Sequence, residues 1–321
     1  MILPPFLFEK DLVAIISPAG KIVSLFIEKA QKYLKTKHLK TVLSQYATDS
    51  YHQFASTDQN RATDLQMMIN NPKIKAIWCS RGGYGTMRIL DKIDFSFLEK
   101  NPKWLIGFSD ITVLHSVLQE KHKIVSVHGS MCINLNNDNF SETGMDNLWK
   151  LLFGNIPIYE IPSYAFNRIG KAKGILIGGN LSLLCALMGS KYDFNPKGKI
   201  LFIEDTGEYL YRLDRMMHSL KNSGKLANLS GLIVGQMTDM KDNEIPFGMS
   251  AYEIIANAVS DYRYPVMFNF PAGHSEQNEP LLLGASCEID VSTNYSLLKF
   301  ESTLKSPIIL PQGSQSEDTK H

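Results

Sequence analysis

The segment Ile106-Gly107-Phe108-Ser109-Asp110 puts a serine where an apolar run stops and a helical pattern starts. A hydroxyl on such a strand-to-helix turn stands clear above the sheet. The amides that open the helix point into the space beside it, where they and the helix dipole can stabilise an oxyanion. That would be acyl-transfer chemistry with Ser109 as the nucleophile. Ser109 or Asp110 suits a plain helix cap equally well, and caps are the commoner use of these residue types in this place. Position 111 is Ile, so the glycine-flanked elbow G-x-S-x-G is not present.

A serine nucleophile needs a base, and the base needs a carboxylate to orient it. Eight histidines are available. His38, His52 and His122 sit in polar, lysine-rich or loop surroundings that read as solvated. His115 falls inside the helical pattern after Ser109. His218 lies near the end of another, where an imidazolium suits the dipole. His321 is in the polar tail. His128 and His274 adjoin glycines at strand–loop edges. His274 belongs to the polar loop 271–278, the kind of segment where functional groups concentrate, although a lone histidine is more often structural. Glu204 and Asp205 directly follow the apolar run Leu201-Phe202-Ile203. They read either as first-turn acids favoured by a helix dipole or as a carboxylate set at a strand end to orient a base.

The turn Arg81-Gly82-Gly83-Tyr84-Gly85 also follows an apolar run, as a dinucleotide fingerprint would. Arg88 stands where the third glycine of G-x-G-x-x-G belongs, and the turn follows the third candidate strand rather than the first, so a nicotinamide site is poorly supported. A turn whose amides approach a ligand or an oxyanion fits as well. There is no H-E-x-x-H and no Cys/His cluster with ligand spacing, so neither a metal nor another cofactor is implied.

These residues must be carried by a framework. Residues 11–17, 40–43, 74–79 and 104–106 read as strands, and 22–33, 62–70 and 111–120 as helices, the last with apolar residues at Ile111, Leu114, Val117 and Leu118. Strands alternating with helices imply a parallel α/β sheet with its site beyond the carboxyl ends of the strands. Residues 154–172 hold Gly154, Pro157, Pro162 and Gly170 with weak periodicity, and read as a linker between domains 1–153 and 173–305. Short strands at 174–177, 200–203, 231–234, 281–284 and 286–291 and helices at 209–220 and 251–259 fill the second half. The polar stretch 306–321 reads as a disordered tail.

The bulk numbers exclude several classes. The chain has 321 residues, 44% of them hydrophobic and 20% charged, with a net charge of +1. Nothing calls for a nucleic acid or an anionic membrane. No stretch approaches the roughly 20 apolar residues of a membrane span. The apolar start is interrupted by Pro4-Pro5 and lacks a basic region, which makes a poor signal peptide. Four scattered cysteines fit a reducing compartment, so a cytoplasmic location is expected.

Taken in order, Ile16-Ser17-Pro18-Ala19-Gly20, Ser80 through Gly85, Gly107-Phe108-Ser109-Asp110-Ile111-Thr112, His128-Gly129, Gly178-Gly179-Asn180-Leu181, Phe202-Ile203-Glu204-Asp205, Tyr211-Arg212-Leu213-Asp214-Arg215, and Gly273-His274 with Asn278 resemble the motifs of the LD-carboxypeptidases. That family of serine peptidases includes murein tetrapeptide carboxypeptidases and microcin-immunity peptidases. The resemblance runs over residues 10 to 300. It implies a Rossmann-like N-terminal domain and a barrel-like C-terminal domain, commonly in a homodimer. It places a Ser–Glu–His triad on Ser109, Glu204 and His274. The oxyanion donors it implies are the amides of Asp110 and of Gly82 or Gly83. The implied substrate is a muropeptide, and the implied reaction is release of a terminal D-alanine. Arg81 or a backbone nest could take the substrate's carboxylate. The same triad would serve a microcin-immunity-like cleavage of a peptidyl-nucleotide amide, and a non-catalytic binding protein on this scaffold is the alternative from another class.

Overall fold

A computed structural model describes residues 1–136 and 142–301. The predicted tail 306–321 and His321 lie outside the described residues. The four runs read as strands in the first half form parallel strands β1 (Leu12–Ile16), β2 (Lys40–Leu43), β3 (Ile74–Cys79) and β4 (Trp104–Gly107), and a fifth that the sequence did not announce, β5 (Ser126–His128), joins them. The second half adds β6 (Ile158–Pro162), β7 (Gly170–Asn180), β8 (Ile200–Thr206), β9 (Gly231–Thr238), β10 (Val266–Met267), β11 (Leu281–Leu283), β12 (Ser286–Val291) and β13 (Tyr295–Phe300).

The first sheet runs β2-β1-β3-β4-β5-β11. The chain reverses its direction of travel between β1 and β3, and in doubly wound sheets ligands bind at such a switch point. The loops carrying Pro18–Gly20 and Arg81–Gly85 flank it, and Ser109 follows the next strand. β11 is contributed by the second half and pairs antiparallel with β5, Leu281 opposite His128.

The second sheet runs β10-β9-β8-β7-β12-β13-β6. β7 to β10 are parallel, and β12, β13 and β6 are antiparallel. This corrects the expected barrel: the sheet is open, with β10 and β6 at its ends. Among the described residues the outer edge of β10 meets only an isolated bridge between Arg168 and Val266. The expected linker is likewise not a linker throughout, since β6 and the start of β7 lie within it. Tyr159 of β6 is buried and its hydroxyl donates to the Pro280 carbonyl. Pro157 and Pro162 bracket this strand and hide its short alternation.

Three apolar clusters hold the layers. One lies between the sheets and joins Trp78, Trp104 and Val127 of the first to Leu176, Phe202 and Ile289 of the second. The others back the outer face of each sheet, one around Leu65, Ile111 and Leu114, the other around Leu201, Leu213 and Ile254. The apolar N-terminus joins the first cluster through Leu3 and Leu7. Among the described residues no helix is long and apolar enough to cross a membrane. The four cysteines are free, and three are buried.

Candidate active site

Ser109 opens a 3₁₀ turn, Ser109–Ile111, which passes into an α-helical turn, Thr112–Val117, and a π turn, Leu118–His122. The single helix expected here is therefore a composite. Ser109 has φ 62°, a left-handed backbone that costs a non-glycine residue about 1–2 kcal/mol. Neither capping expectation for this pair is met. Phe108, not Ser109, occupies the cap position, without a side-chain cap bond. Asp110 is buried, and its Oδ2 accepts from the Thr86 amide at 2.8 Å, so it pins the glycine turn rather than its own helix. Burial pushes the Asp110 carboxyl up, while its bonds to Thr86 and the nearby Arg61 oppose that.

The glycine turn lies against the serine. A Cβ added at Gly82 would stand 2.9 Å from Ser109 Cβ, 3.0 Å from its Oγ and 3.3 Å from the Asp110 amide nitrogen. Gly83, at φ 106°, instead faces Gly20. Arg81 reaches back from the turn to the Lys21 carbonyl at 3.0 Å.

Glu204 ends the apolar stretch of β8 and is fully buried. Its Oε2 lies 2.7 Å from Nδ1 of His274. Gly273 permits that approach, because at φ 122° a Cβ there would fall 2.8 Å from the same oxygen. Asn278, also buried, accepts from the Gly273 amide at 2.9 Å and fixes the loop. Burial pulls His274 down, but the charge and hydrogen bond of Glu204, helped by Asp205 and Asp239, outweigh it and raise its pKa. Asp205 is raised to about 6, chiefly by burial and then by the neighbouring Glu204.

Ser109 and His274 open on one cleft of about 440 Å³, together with Arg81, Gly82, Gly83 and Phe108. The structure thus brings Ser109, His274 and the glycine turn together and sets Glu204 behind the histidine. Met131, Ile133, Asn134, Ser275 and Glu276 complete the walls. Sequence reading named none of these five as site residues: Met131, Ile133 and Asn134 belong to no motif, and Ser275 and Glu276 fall inside the 271–278 loop, which was singled out for His274. The 131–134 wall is held by tertiary bonds, Ile133 N to Ser80 O at 2.9 Å and Trp78 Nε1 to Ser130 O at 2.8 Å.

The other histidines separate clearly. His128 is fully buried, its ring 5.6 Å from Phe108 and 5.0 Å from Phe202, and burial pushes it well below its ordinary value. His115 is buried and pushed down to about 4 by desolvation. Its Nε2 contacts the Gly107 carbonyl at 2.9 Å, and because a carbonyl only accepts, Nε2 carries the proton. His122 pairs with Glu99 at 2.8 Å and His218 with Asp214 at 3.7 Å. The Tyr211–Arg215 motif lies on the helix Leu210–Asn222 and does not line the cleft. Among the described residues no group of three His, Cys, Asp or Glu could hold a metal ion.

A buried thread ties the motifs together. Thr112 Oγ1, one turn after Ser109, accepts from the Asn180 amide at 3.0 Å, and Asn180 Nδ2 donates to Asp205 at 2.9 Å. Gly179 allows this crossing: a Cβ there would meet Thr112 Oγ1 at 2.6 Å.

Comparison with known proteins agrees with this architecture. Residues 13–129 match the model of the LD-carboxypeptidase N-terminal domain and residues 173–289 that of the C-terminal domain. A probable murein peptide carboxypeptidase of Bacillus subtilis is 29% identical over 306 residues, covering 92% of this chain and 94% of that protein. The murein tetrapeptide carboxypeptidase of Pseudomonas aeruginosa is 29% identical over 291 residues, covering 87% and 92%. The crystal structure of muramoyltetrapeptide carboxypeptidase from Oxalobacter formigenes superposes with a TM-score of 0.83 at 27% identity, covering 90% of this chain and 98% of that one. The microcin C7 self-immunity protein shares the fold, with a TM-score of 0.84 at 22% identity over 95% of this chain and all of that one. With both of its halves matched, the chain belongs to the LD-carboxypeptidase family.

Proposed function

We propose that this enzyme is a serine LD-carboxypeptidase that cleaves the L,D-peptide bond of a murein tetrapeptide and releases its terminal D-alanine. The observation that carries this is the 2.7 Å Glu204–His274 pair opening on the same cleft as the strained Ser109. A carboxylate can only accept from Nδ1, so the neutral imidazole is protonated there and Nε2 is left as the base. Nε2 takes the Ser109 proton as Oγ attacks the scissile carbonyl. The amide of Asp110 and an amide of the turn at Gly82 or Gly83 receive the oxyanion. His274 returns the proton to the D-alanine nitrogen as the C–N bond breaks, and water then hydrolyses the acyl-serine by the same relay. Arg81 is the cationic side chain in the cleft that could hold the terminal carboxylate.

The test is incubation with a tetrapeptide ending in D-alanine, followed by mass spectrometry of the tripeptide. Wild-type protein should release D-alanine, and Ser109→Ala should lower kcat by about 10³-fold or more. Absence of release, or a serine-independent rate, defeats the proposal. Cleavage of a peptidyl-nucleotide amide in preference to the tetrapeptide would reassign the substrate.

A further inference from the structure

His115 is a fully buried, titratable side chain that the relay through Glu204 and His274 does not use. Its helical turn, Thr112–Val117, starts three residues after Ser109, and the ring reaches back across the nucleophile turn to the end of β4. There the Gly107 carbonyl accepts from His115 Nε2 at 2.9 Å and from the Gly129 amide at 3.2 Å, which fills both of its acceptor positions. On the far side of the ring, Nδ1 lies 2.8 Å from Oγ of Ser126, a buried residue of β5. With the proton on Nε2, Nδ1 accepts and the Ser126 hydroxyl donates to it. The direction is fixed throughout, from Ser126 through His115 to Gly107.

This bears on Ser109 because peptide units are planar. Locking the Gly107 carbonyl fixes the plane that it shares with the Phe108 amide. The next plane is fixed as well, since the Phe108 carbonyl accepts from the Ile111 amide at 3.2 Å. Phe108 is left extended between them, at φ −149° and ψ −170°, and Ser109 makes the turn at φ 62°. A left-handed serine persists only where its surroundings over-determine it. Gly107 leaves the turn no slack, because a Cβ there would meet Ile111 Cγ1 at 2.9 Å. Burial pushes His115 down to about 4, so the ring stays neutral and keeps its hydrogen-bond direction where His274 gains and loses its proton.

We infer that His115 is a positioning residue, which holds the Gly107–Phe108 peptide and so keeps Ser109 in the left-handed conformation from which it attacks. Buried and outside the cleft lining, His115 acts through the backbone and not on the substrate. This rests on the carboxypeptidase reading, in which Ser109 is the nucleophile.

Three variants test it. His115→Gln carries a donor and an acceptor that can span the same two partners. His115→Leu removes both, and Ser126→Ala leaves Nδ1 buried without its donor. On a tetrapeptide ending in D-alanine, His115→Leu should lower kcat by about 100-fold, the scale of a small displacement of the nucleophile, at unchanged KM and an unmoved pH midpoint. His115→Gln should recover most of that loss, and Ser126→Ala should lower kcat less than His115→Leu does. A crystal structure of His115→Leu should show Ser109 at negative φ. Ile254→Ala, in the outer cluster of the second sheet, is the control for stability alone: it should lower Tm and leave kcat unchanged well below Tm. A left-handed Ser109 in His115→Leu, or a kcat that falls as far in Ile254→Ala as in His115→Leu, overturns the proposal. If His115→Leu does not fold, wild-type kcat in Ser126→Ala does so. The carboxypeptidase reading fails separately. Wild-type protein that releases no D-alanine removes that reading, and the backbone of Ser109 in His115→Leu still decides whether His115 holds the turn. Serine-dependent release at wild-type kcat in His115→Leu keeps the reading and removes the proposal.

Discussion

Glu204 is fully enclosed, and one of its oxygens, Oε1, has no hydrogen-bond partner among the described residues while the other holds His274. A buried carboxylate with a single strong contact depends on that contact, and the imidazolium formed during turnover strengthens it. The raised His274 pKa has two consequences of opposite sign. Stability from the pair is complete below the unfolded value of about 6.5 and fades as pH rises through the folded value. Activity follows the neutral base, so the rate should climb with pH with a midpoint above about 6.5. Glu204→Gln keeps the shape but removes the charge. It should shift that midpoint to lower pH and reduce kcat by about 10³- to 10⁴-fold, as when the orienting carboxylate of a triad is lost. A pH–rate profile with an unmoved midpoint and a rate within tenfold of wild type would remove Glu204 from the mechanism.

At the scale of elements, the helix Asp58–Asn70 holds the glycine turn in place. Arg61 from its first turn is 1% exposed and donates to the carbonyls of Gly85 at 2.9 Å, Ser56 at 3.2 Å and Pro18. Asp58 completes its surroundings at 2.5 Å. Gly85, at φ 130°, could not hold a Cβ, which would meet Arg61 Nη1 at 2.9 Å. Arg61→Met would keep most of the volume but strand those buried carbonyls, at roughly 1–3 kcal/mol for each one left unsatisfied. A fall in Tm of about 5–10 °C by scanning calorimetry, with a loss in kcat/KM, is the expected result. An unchanged Tm would show that water replaces the guanidinium without cost.

For the whole molecule, the two halves are not independent bodies joined by a tether. β11 completes the first sheet from the far half, Leu281–Leu283 against Ser126–His128, and the core between the sheets draws on both. A fragment ending at residue 169 would lose β11, expose the edge of β5 and uncover apolar surface around Val127 and Trp149. Such an edge invites pairing with other chains. The fragment should aggregate when expressed alone, in light scattering or gel filtration, and co-expression of residues 154–301 should restore a soluble complex. A monomeric fragment with a cooperative melt would contradict the shared core.

Much was legible in residue order because it depends on local physics. β2, β3 and β12 match their apolar runs end to end, and β1 and β4 lie within a residue or so of theirs. The turn glycines Gly83 and Gly85 stand where φ is positive, a need that one residue type meets almost alone. Ser109 at the end of an apolar run, and the order of the motifs around it, were likewise open to reading. What the tertiary structure decided is contact between distant segments. Only the packing of β8 against the 271–278 loop gives Glu204 and His274, seventy residues apart, a common hydrogen bond. Only the Thr112–Asn180–Asp205 thread explains why a glycine pair before Asn180 belongs with a serine in the other sheet. β6 and β11 were misplaced or unassigned to their sheet because short strands take their place from partners, not propensity. The Met131–Asn134 wall carries no motif, and although the 271–278 loop was open to reading, that Glu276 faces the cleft was not. A side chain's type is written locally, but the cleft it faces is made by chain that returns from elsewhere.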